Sequence, residues 1–163
     1  MPVPDKVYLS TPSDTYTSAL GVTGEIREHI HPTYGKQYYR MVKNDTGSTI
    51  AANQAVVYDL TGTSADAVKV TLSAVSAPAV TVAGITQTAI PTGRWAWVGC
   101  GGQCLATADD TVDISVLATV QTASTAGEVD DIAIAGKEHC IIGIFLEDKA
   151  STGTVKVQLS NLM

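Results

Sequence analysis

The feature that most constrains the fold is a pair of similar stretches, 82–98 and 141–159. Each has an apolar-Gly-apolar segment, a short polar link ending in Thr-Gly, and a segment in which apolar residues alternate with others. Alternation entered through a Gly-containing turn is typical of an antiparallel hairpin with one buried face. Their Gly-to-Gly spacings differ by one residue, so we predict an approximate internal duplication. The residues expected in its core are Trp95, Trp97, Ile142, Ile144, Val155, Val157 and Leu159.

Short segments with strand-like alternation continue through the chain from residue 37, with no helical period. Turn-forming residues separate them at near-regular intervals, and Gly101-Gly102 is expected to allow a sharp change of direction. This pattern predicts an all-β fold, an antiparallel β-sandwich or a barrel-like domain. The further predicted strands are 37–44, 54–60, 67–72, 79–87, 94–100, 103–107, 112–120 and 128–134.

The first 35 residues differ from the rest, because they contain four of the six prolines and show no sustained period. We predict an extended N-terminal arm over 1–35, with at most a short helix over 13–20, followed by a β domain over 36–163. Tyrosine offers amphipathic contact area that suits protein interfaces. Five of the six tyrosines lie in the arm or the strand after it, and they are the candidate contacts to a partner or another copy: Tyr8, Tyr16, Tyr34, Tyr38 and Tyr39.

The charge of the chain excludes several partners. The net charge is −6 and no basic stripe occurs, which argues against a nucleic-acid binder. Only 16% of the residues are charged, so much of the surface is small and polar, and this favours packing against neighbours. The uncharged run 70–93 is broken by prolines and turns, so no membrane helix is predicted. The N-terminus lacks the apolar core of a secretion signal, so synthesis in the cytoplasm is expected.

Residue types that carry chemistry are present but do not form a recognisable site. His29 and His31 could share one side of a strand, but no third metal ligand follows from the spacing, and an interface pair is the preferred interpretation. The cysteines Cys100, Cys104 and Cys140 are predicted to be buried apolar residues.

Two acidic groups suggest solvated loops, with a Ca²⁺ site as the alternative, although EF-hand spacing is missing. They are Asp109, Asp110 and Asp113, and Glu128, Asp130 and Asp131. No nucleophile elbow, phosphate loop or dinucleotide fingerprint occurs. We therefore predict that the chain is not an enzyme and needs no cofactor or metal.

The two hairpin stretches resemble the head-decoration, or capsid cement, proteins of tailed bacteriophages. The resemblance covers roughly the C-terminal half, and the long N-terminal segment departs from a minimal member of that family. It implies an all-β module, often trimeric, on the outer surface of a virion at junctions between major capsid subunits, with no active site. The residues that carry it are Val82-Ala83-Gly84-Ile85-Thr86-Gln87-Thr88-Ala89-Ile90-Pro91-Thr92-Gly93-Arg94-Trp95-Ala96-Trp97-Val98-Gly99, and Ile142-Gly143-Ile144-Phe145-Leu146-Glu147 with Thr152-Gly153-Thr154-Val155-Lys156-Val157.

Two other classes fit the same composition. A virion fibre or receptor-binding module would also be all-β and oligomeric, with repeats along a stalk or exposed aromatic loops at one tip. A carbohydrate-binding module or small β-sandwich enzyme would need a cleft with aromatics and paired carboxylates. The aromatics of this chain are instead concentrated in the arm and in one strand.

Overall fold

The structure, a computed structural model, describes residues 14–20, 24–59, 69–72, 81–109, 113–123, 125–131, 141–150 and 153–160. These residues form eleven β-strands and no α-helix, which confirms the predicted all-β class. The strands are β1 (Thr15–Tyr16), β2 (Ile26–His31), β3 (Gly35–Asn44), β4 (Ala55–Tyr58), β5 (Lys69–Leu72), β6 (Val82–Thr86), β7 (Trp95–Ala108), β8 (Thr119–Thr122), β9 (Val129–Asp130), β10 (Gly143–Phe145) and β11 (Gly153–Leu159).

Five of these strands close into a barrel. Strand β7 pairs with β3 on one edge and with β6 on the other, β6 pairs with β4, β4 with β5, and β5 returns to β3. All pairings are antiparallel except β3–β5, which is parallel. The ring encloses apolar side chains contributed by every strand, and we call it the first barrel: Val42, Val56, Val70, Ala83, Ala96 and Val98.

A second ring uses the other half of β7. There β7 pairs with β11, β11 with β10, β10 with β8, β8 with β9, and β9 returns to β7 through the pair Ala108 and Val129. The closing pair is again the parallel one. We call this ring the second barrel, and its enclosed side chains include Ala106, Val120, Val129, Phe145, Val155 and Val157.

The two barrels are copies of one topology, which explains the duplication detected in the sequence. Strands β3, β4, β5, β6 and the first half of β7 correspond to the second half of β7 and to β8, β9, β10 and β11. Even isolated bridges are repeated, since Ile50 pairs with Ile90 and Ile114 pairs with Lys149. Matching pairs in the two barrels are Val42–Ala96 with Ala106–Val155, Thr86–Val98 with Phe145–Val157, and Tyr58–Val70 with Thr122–Val129.

This correspondence corrects one expectation about the core. The sequence pattern predicted that the tryptophans of the first hairpin point inward, like the valines of the second. In the structure, Ala96 and Val98 are the inward counterparts of Val155 and Val157. Trp97 is buried on the opposite face of β7, in a cluster with Tyr39 and Met41. The tryptophan face is therefore the outside of the first barrel, covered by the segment around β1.

The other predicted core residues divide in the same way. The structure buries Trp97, Ile142, Val155, Val157 and Leu159 and half-buries Trp95. Ile144 is 37% exposed, so its placement in the core is wrong. It lies on β10 between two inward residues, and alternation along a strand directs it outward.

Strand β7 also departs from the predicted pattern. Gly101-Gly102 does not reverse the chain, because β7 continues through both residues from one barrel into the other. The irregularity appears instead as a bulge in β7 at Cys100, where the register with β3 shifts between Tyr38 and Tyr39. A side chain at Gly102 would overlap the Lys36 backbone, so glycine permits this close approach.

The arm is partly regular structure. Residues 26–31 form β2, which pairs along its whole length with β3, and residues 15–16 pair with β7. The short helix expected over 13–20 is absent from the described residues 14–20. Residues 1–13 lie outside the described residues, so the division into an arm over 1–35 and a domain over 36–163 stays a prediction.

Candidate interaction surface

The hairpin β2–β3 extends the sheet beyond the first barrel. Strand β2 is the last strand in the described order, and β3 is its partner there. The turn between them leads into Gly35, the first residue of β3, whose φ of 71° is a conformation that glycine adopts readily. The hairpin therefore presents one strand edge and two faces, and it carries three of the five candidate tyrosines.

One face of the hairpin is packed onto the barrel. Tyr39 is buried, and its hydroxyl donates a hydrogen bond to Gln37 Oε1 at 3.1 Å. Burial raises the pKa of Tyr39 far above its ordinary value. The Arg27 guanidinium lies 5.1 Å from the centre of the Trp97 ring, a cation–π geometry. His29 makes an edge-to-face contact with Tyr39. This face fixes the hairpin in place.

The opposite face of the hairpin is open. Ile30 is 56% exposed, and Lys36 forms a 2.8 Å ion pair with Glu28 across the strands. The hydrogen bond to Glu28 raises the pKa of Lys36. The Lys36 ammonium also lies 5.9 Å from the Tyr38 ring centre. The face thus combines apolar, aromatic and paired charged groups, a composition suited to a protein contact.

The tip of the hairpin holds a stacked pair. The rings of His31 and Tyr34 lie 4.4 Å apart and nearly parallel. The same imidazole accepts hydrogen bonds through Nδ1 from the backbone amides of Thr33 and Tyr34. His31 is therefore a turn-stabilising residue. This local role accounts for its position without a metal.

The candidate tyrosines have different environments. Tyr34 and Tyr38 are half-buried on the hairpin, and Tyr16 is half-buried against the Trp97 cluster. The contact role predicted for Tyr39 is wrong in this fold, because its buried side chain offers no surface to a partner. Tyr8 lies outside the described residues.

The cysteines match their prediction where the structure describes them. Cys100 and Cys104 are buried and unpaired. Burial raises the pKa of Cys100 to about 11 and raises the pKa of Cys104 further. A high thiol pKa removes nucleophilic character at neutral pH. Cys140 lies outside the described residues.

The two acidic groups come together where the second barrel closes, since the Asp109 amide donates to the Val129 carbonyl. Contrary to the solvated-loop interpretation, Asp109 and Asp130 are buried. The Asp130 carboxylate accepts a hydrogen bond from the Asp131 amide at 2.6 Å, and the Asp131 carboxylate accepts one from the Ser115 amide at 3.2 Å. These carboxylates stabilise loops.

No group of three or more His, Cys, Asp or Glu side chains arranged to hold a metal ion occurs among the described residues. Asp110 lies outside them. The absence of a cofactor, metal and catalytic activity stays a prediction. In the part of the chain that the structure describes, no helix has the length and apolarity needed to cross a membrane.

Sequence reasoning missed strand β2, although a signal for it was present. The stretch Ile-Arg-Glu-His-Ile-His precedes a Pro-Thr-Tyr-Gly turn, and a strand-length segment before such a turn favours a hairpin. The mixture of charged and apolar residues on one face obscured it, because Glu28 separates Ile26 from Ile30. An edge strand has such mixed faces when neither side is fully covered.

Comparison with known proteins gives a similarity of fold. No protein-family model and no curated protein matches this sequence. Among solved structures, the chain is similar to the N base of the head fiber gp8.5 in bacteriophage phi29, with a TM-score of 0.56 and 14% sequence identity. The alignment covers 77% of this chain and 95% of the phage chain. The described residues thus share an all-β, barrel-containing fold with the base of a phage head fiber.

Proposed function

We propose that this chain is a structural protein of a phage head, which decorates the outer capsid surface and stabilises it by binding at junctions between major capsid subunits. The observation that carries the proposal is the fold similarity to a phage head fiber base over nearly the whole of that chain. The hairpin motifs that resemble capsid cement proteins support the same location. The protein acts by adding contact area and performs no reaction.

The major capsid protein is the proposed partner, and the open face of the β2–β3 hairpin is the proposed contact. That face projects beyond the first barrel and carries the exposed Ile30 beside Tyr38. Residues 1–13, which include Tyr8, extend the contact. Several copies, most simply three, assemble on the particle, and neither nucleic acid nor a membrane takes part.

A second candidate is a fibre base or receptor-binding module. The structural neighbour is itself the base of a head fiber, which favours this alternative. The two candidates differ in what electron microscopy of the parent particle reveals. A decoration protein forms compact density at lattice junctions, whereas a fibre base is continued by an elongated projection.

The binding test uses particles that lack the chain and purified full-length protein added back. We expect Ile30→Asp to lower the occupancy on the particle strongly, because it places a charge in the proposed contact. Thr154→Asp introduces the same charge at an exposed site of the second barrel and should bind like the unchanged protein. Deletion of residues 1–13 should lower occupancy while strands β1 to β11 still fold.

Two results would contradict the proposal. One is a parent particle with no density for the chain on its head. The other is full occupancy by both Ile30→Asp and the deletion variant, which would remove the hairpin and residues 1–13 from the contact.

A further inference from the structure

Among the described residues, the second barrel has four large exposed aliphatic side chains, two in the turn before β8 and two on or just before β10. Leu117 is 70% exposed, Val116 45%, Ile144 37% and Ile141 36%. Ile144 lies opposite Thr119 in the β8–β10 pair, and the Leu117 amide donates to the Phe145 carbonyl at 2.9 Å. The turn before β8 and the outer side of β10 are thus adjacent. We call these four residues the apolar patch.

The internal duplication shows how the equivalent face of the first barrel is covered. The counterpart of Ile144 in the first barrel is Ile85. Ile141 and Val82 each lie three residues earlier, so they correspond by the same spacing. Val82 and Ile85 are both buried, and they belong to the same apolar cluster as the core of the second barrel. In the first barrel, this face is therefore covered by a barrel of the same chain. In the second barrel, the face has the same topology and no cover among the described residues.

Backbone strain supplies an independent observation. Asn53 and Leu117 occupy equivalent positions and adopt left-handed conformations, with φ of 63° and 67°. Asn tolerates this region, whereas Leu adopts it at a cost in free energy. The second barrel therefore holds a large apolar residue in a strained conformation that also exposes it to solvent. Neither property stabilises an isolated copy.

Three charged side chains near the patch are engaged in contacts within the chain. The Asp148 carboxylate accepts a hydrogen bond from the Val116 amide at 2.7 Å, and Lys156 forms a 3.3 Å ion pair with Glu147. The chain as a whole carries a net charge of −6, so identical copies repel one another at long range. An uncharged apolar surface is where two copies can approach with least repulsion.

We propose that the apolar patch is the surface through which copies of this chain bind one another, with the patches of neighbouring copies packed around a symmetry axis. This inference rests on the proposed homo-oligomer and names the residues that form it. Each copy contributes the same patch, as closed symmetric assemblies require for self-contacting surfaces near an axis. The β2–β3 hairpin is not part of this surface.

The test measures self-association of the full-length chain by sedimentation equilibrium over a wide concentration range. Ile144→Asp should reduce the association constant by about tenfold or more, because it places a charge within a desolvated contact. Thr49→Asp, at an exposed position between β3 and β4, should leave association unchanged and is the matched control.

A second variant separates association from folding. Leu117→Asn restores the residue type of the first barrel, so it should relieve strain and raise the melting temperature by roughly 2 °C, measured at a concentration where the chain is monomeric. The same variant should weaken association. Loss of association together with increased stability is not explained by misfolding.

Three outcomes would overturn the inference. Unchanged association of both Ile144→Asp and Leu117→Asn would move the contact elsewhere while leaving the homo-oligomer intact. An unmodified chain that stays monomeric at every concentration would remove the homo-oligomer itself. If the unmodified chain is monomeric and Ile144→Asp abolishes binding to the particle, the patch is instead a contact to the capsid shell. Particle binding of Ile30→Asp tests the capsid role separately.

Discussion

At the scale of single residues, the strongest constraints lie where the two barrels share β7. Cys100 and Cys104 flank the Gly101-Gly102 pair, and both are buried. Two and four positions beyond Cys104, the same strand supplies Ala106 and Ala108 to the core of the second barrel. Small side chains are needed here because two cores meet on one strand. The thiols act as small apolar groups whose ionisation burial disfavours.

The Cys100 thiol makes stability depend on pH in the alkaline range. Burial raises its pKa from 9.0 to about 11 in the folded chain, so the unfolded chain loses this proton first. The resulting stabilisation is fully present below pH 9 and is lost as pH rises towards 11. We expect the free energy of unfolding to fall by roughly 2 kcal/mol more in the unchanged protein than in Cys100→Ala over that range.

Urea unfolding at several pH values measures this difference. Cys100→Ala is the reference because Cys104 and the buried tyrosines titrate in both proteins. Parallel pH profiles for the two proteins would contradict a buried thiol at this position.

At the scale of elements, the hairpins β6–β7 and β10–β11 depend on a glycine at equivalent positions. A Cβ atom at Gly84 would overlap the carbonyl oxygen of Gly99, and one at Gly143 would overlap that of Gln158. Gly84 also has φ of 152° and lies beside the bulge in the β4–β6 register. The bulge directs both Val82 and Ile85 outward, towards the second barrel.

Gly84→Ala should therefore destabilise the fold by roughly 2–4 kcal/mol, through overlap with the neighbouring strand and a strained φ. Gly47→Ala is the matched control, since no atom lies within 4 Å of its Cβ position. The control should change stability by less than about 0.5 kcal/mol. Chemical unfolding of both variants checks this, and equal stabilities would contradict the close approach of β6 and β7.

The sequence predicted most of the elements because their alternation was strong. The hairpins at 82–98 and 141–159 and the strand at 37–44 are present with small changes at their ends. Two features required three-dimensional information. The strand β7 is continuous through two glycines because tertiary pairing on both edges outweighs their local flexibility. The inward face of β7 was assigned to the tryptophans because large apolar residues usually define a core.

The candidate interaction surface was also predictable in part. Tyrosine content indicated the right region, but Tyr39 is buried because the segment around β1 covers its face and His29 packs against its ring. The apolar patch gave no signal, since Ile141 and Ile144 look like core residues in an alternating strand. Their exposure in the fold identifies them as surface residues, and comparison with the buried Val82 and Ile85 indicates that such a face is normally covered.

At the scale of the whole molecule, the two barrels share packing and hydrogen bonds, so we expect them to unfold as one cooperative unit. They share β7, and outward residues of the first barrel contribute to the core of the second. The Thr107 amide also donates to the Asn53 carbonyl at 2.7 Å, and the Ala55 amide donates to the Gly127 carbonyl at 2.7 Å. Neither barrel can lose its packing without exposing apolar surface of the other.

The location of the tryptophans makes this coupling measurable. Both tryptophans of the chain, Trp95 and Trp97, belong to the first barrel, while Val120 is buried in the second. Val120→Ala should cost about 2 kcal/mol by creating a cavity, and should lower the melting temperature by roughly 4–8 °C. If unfolding is cooperative, tryptophan fluorescence and far-UV circular dichroism should shift together.

Val56→Ala, at the equivalent position of the first barrel, should also give a single transition by both probes. An unchanged fluorescence transition in Val120→Ala, with an earlier step in circular dichroism, would mean that the second barrel unfolds alone.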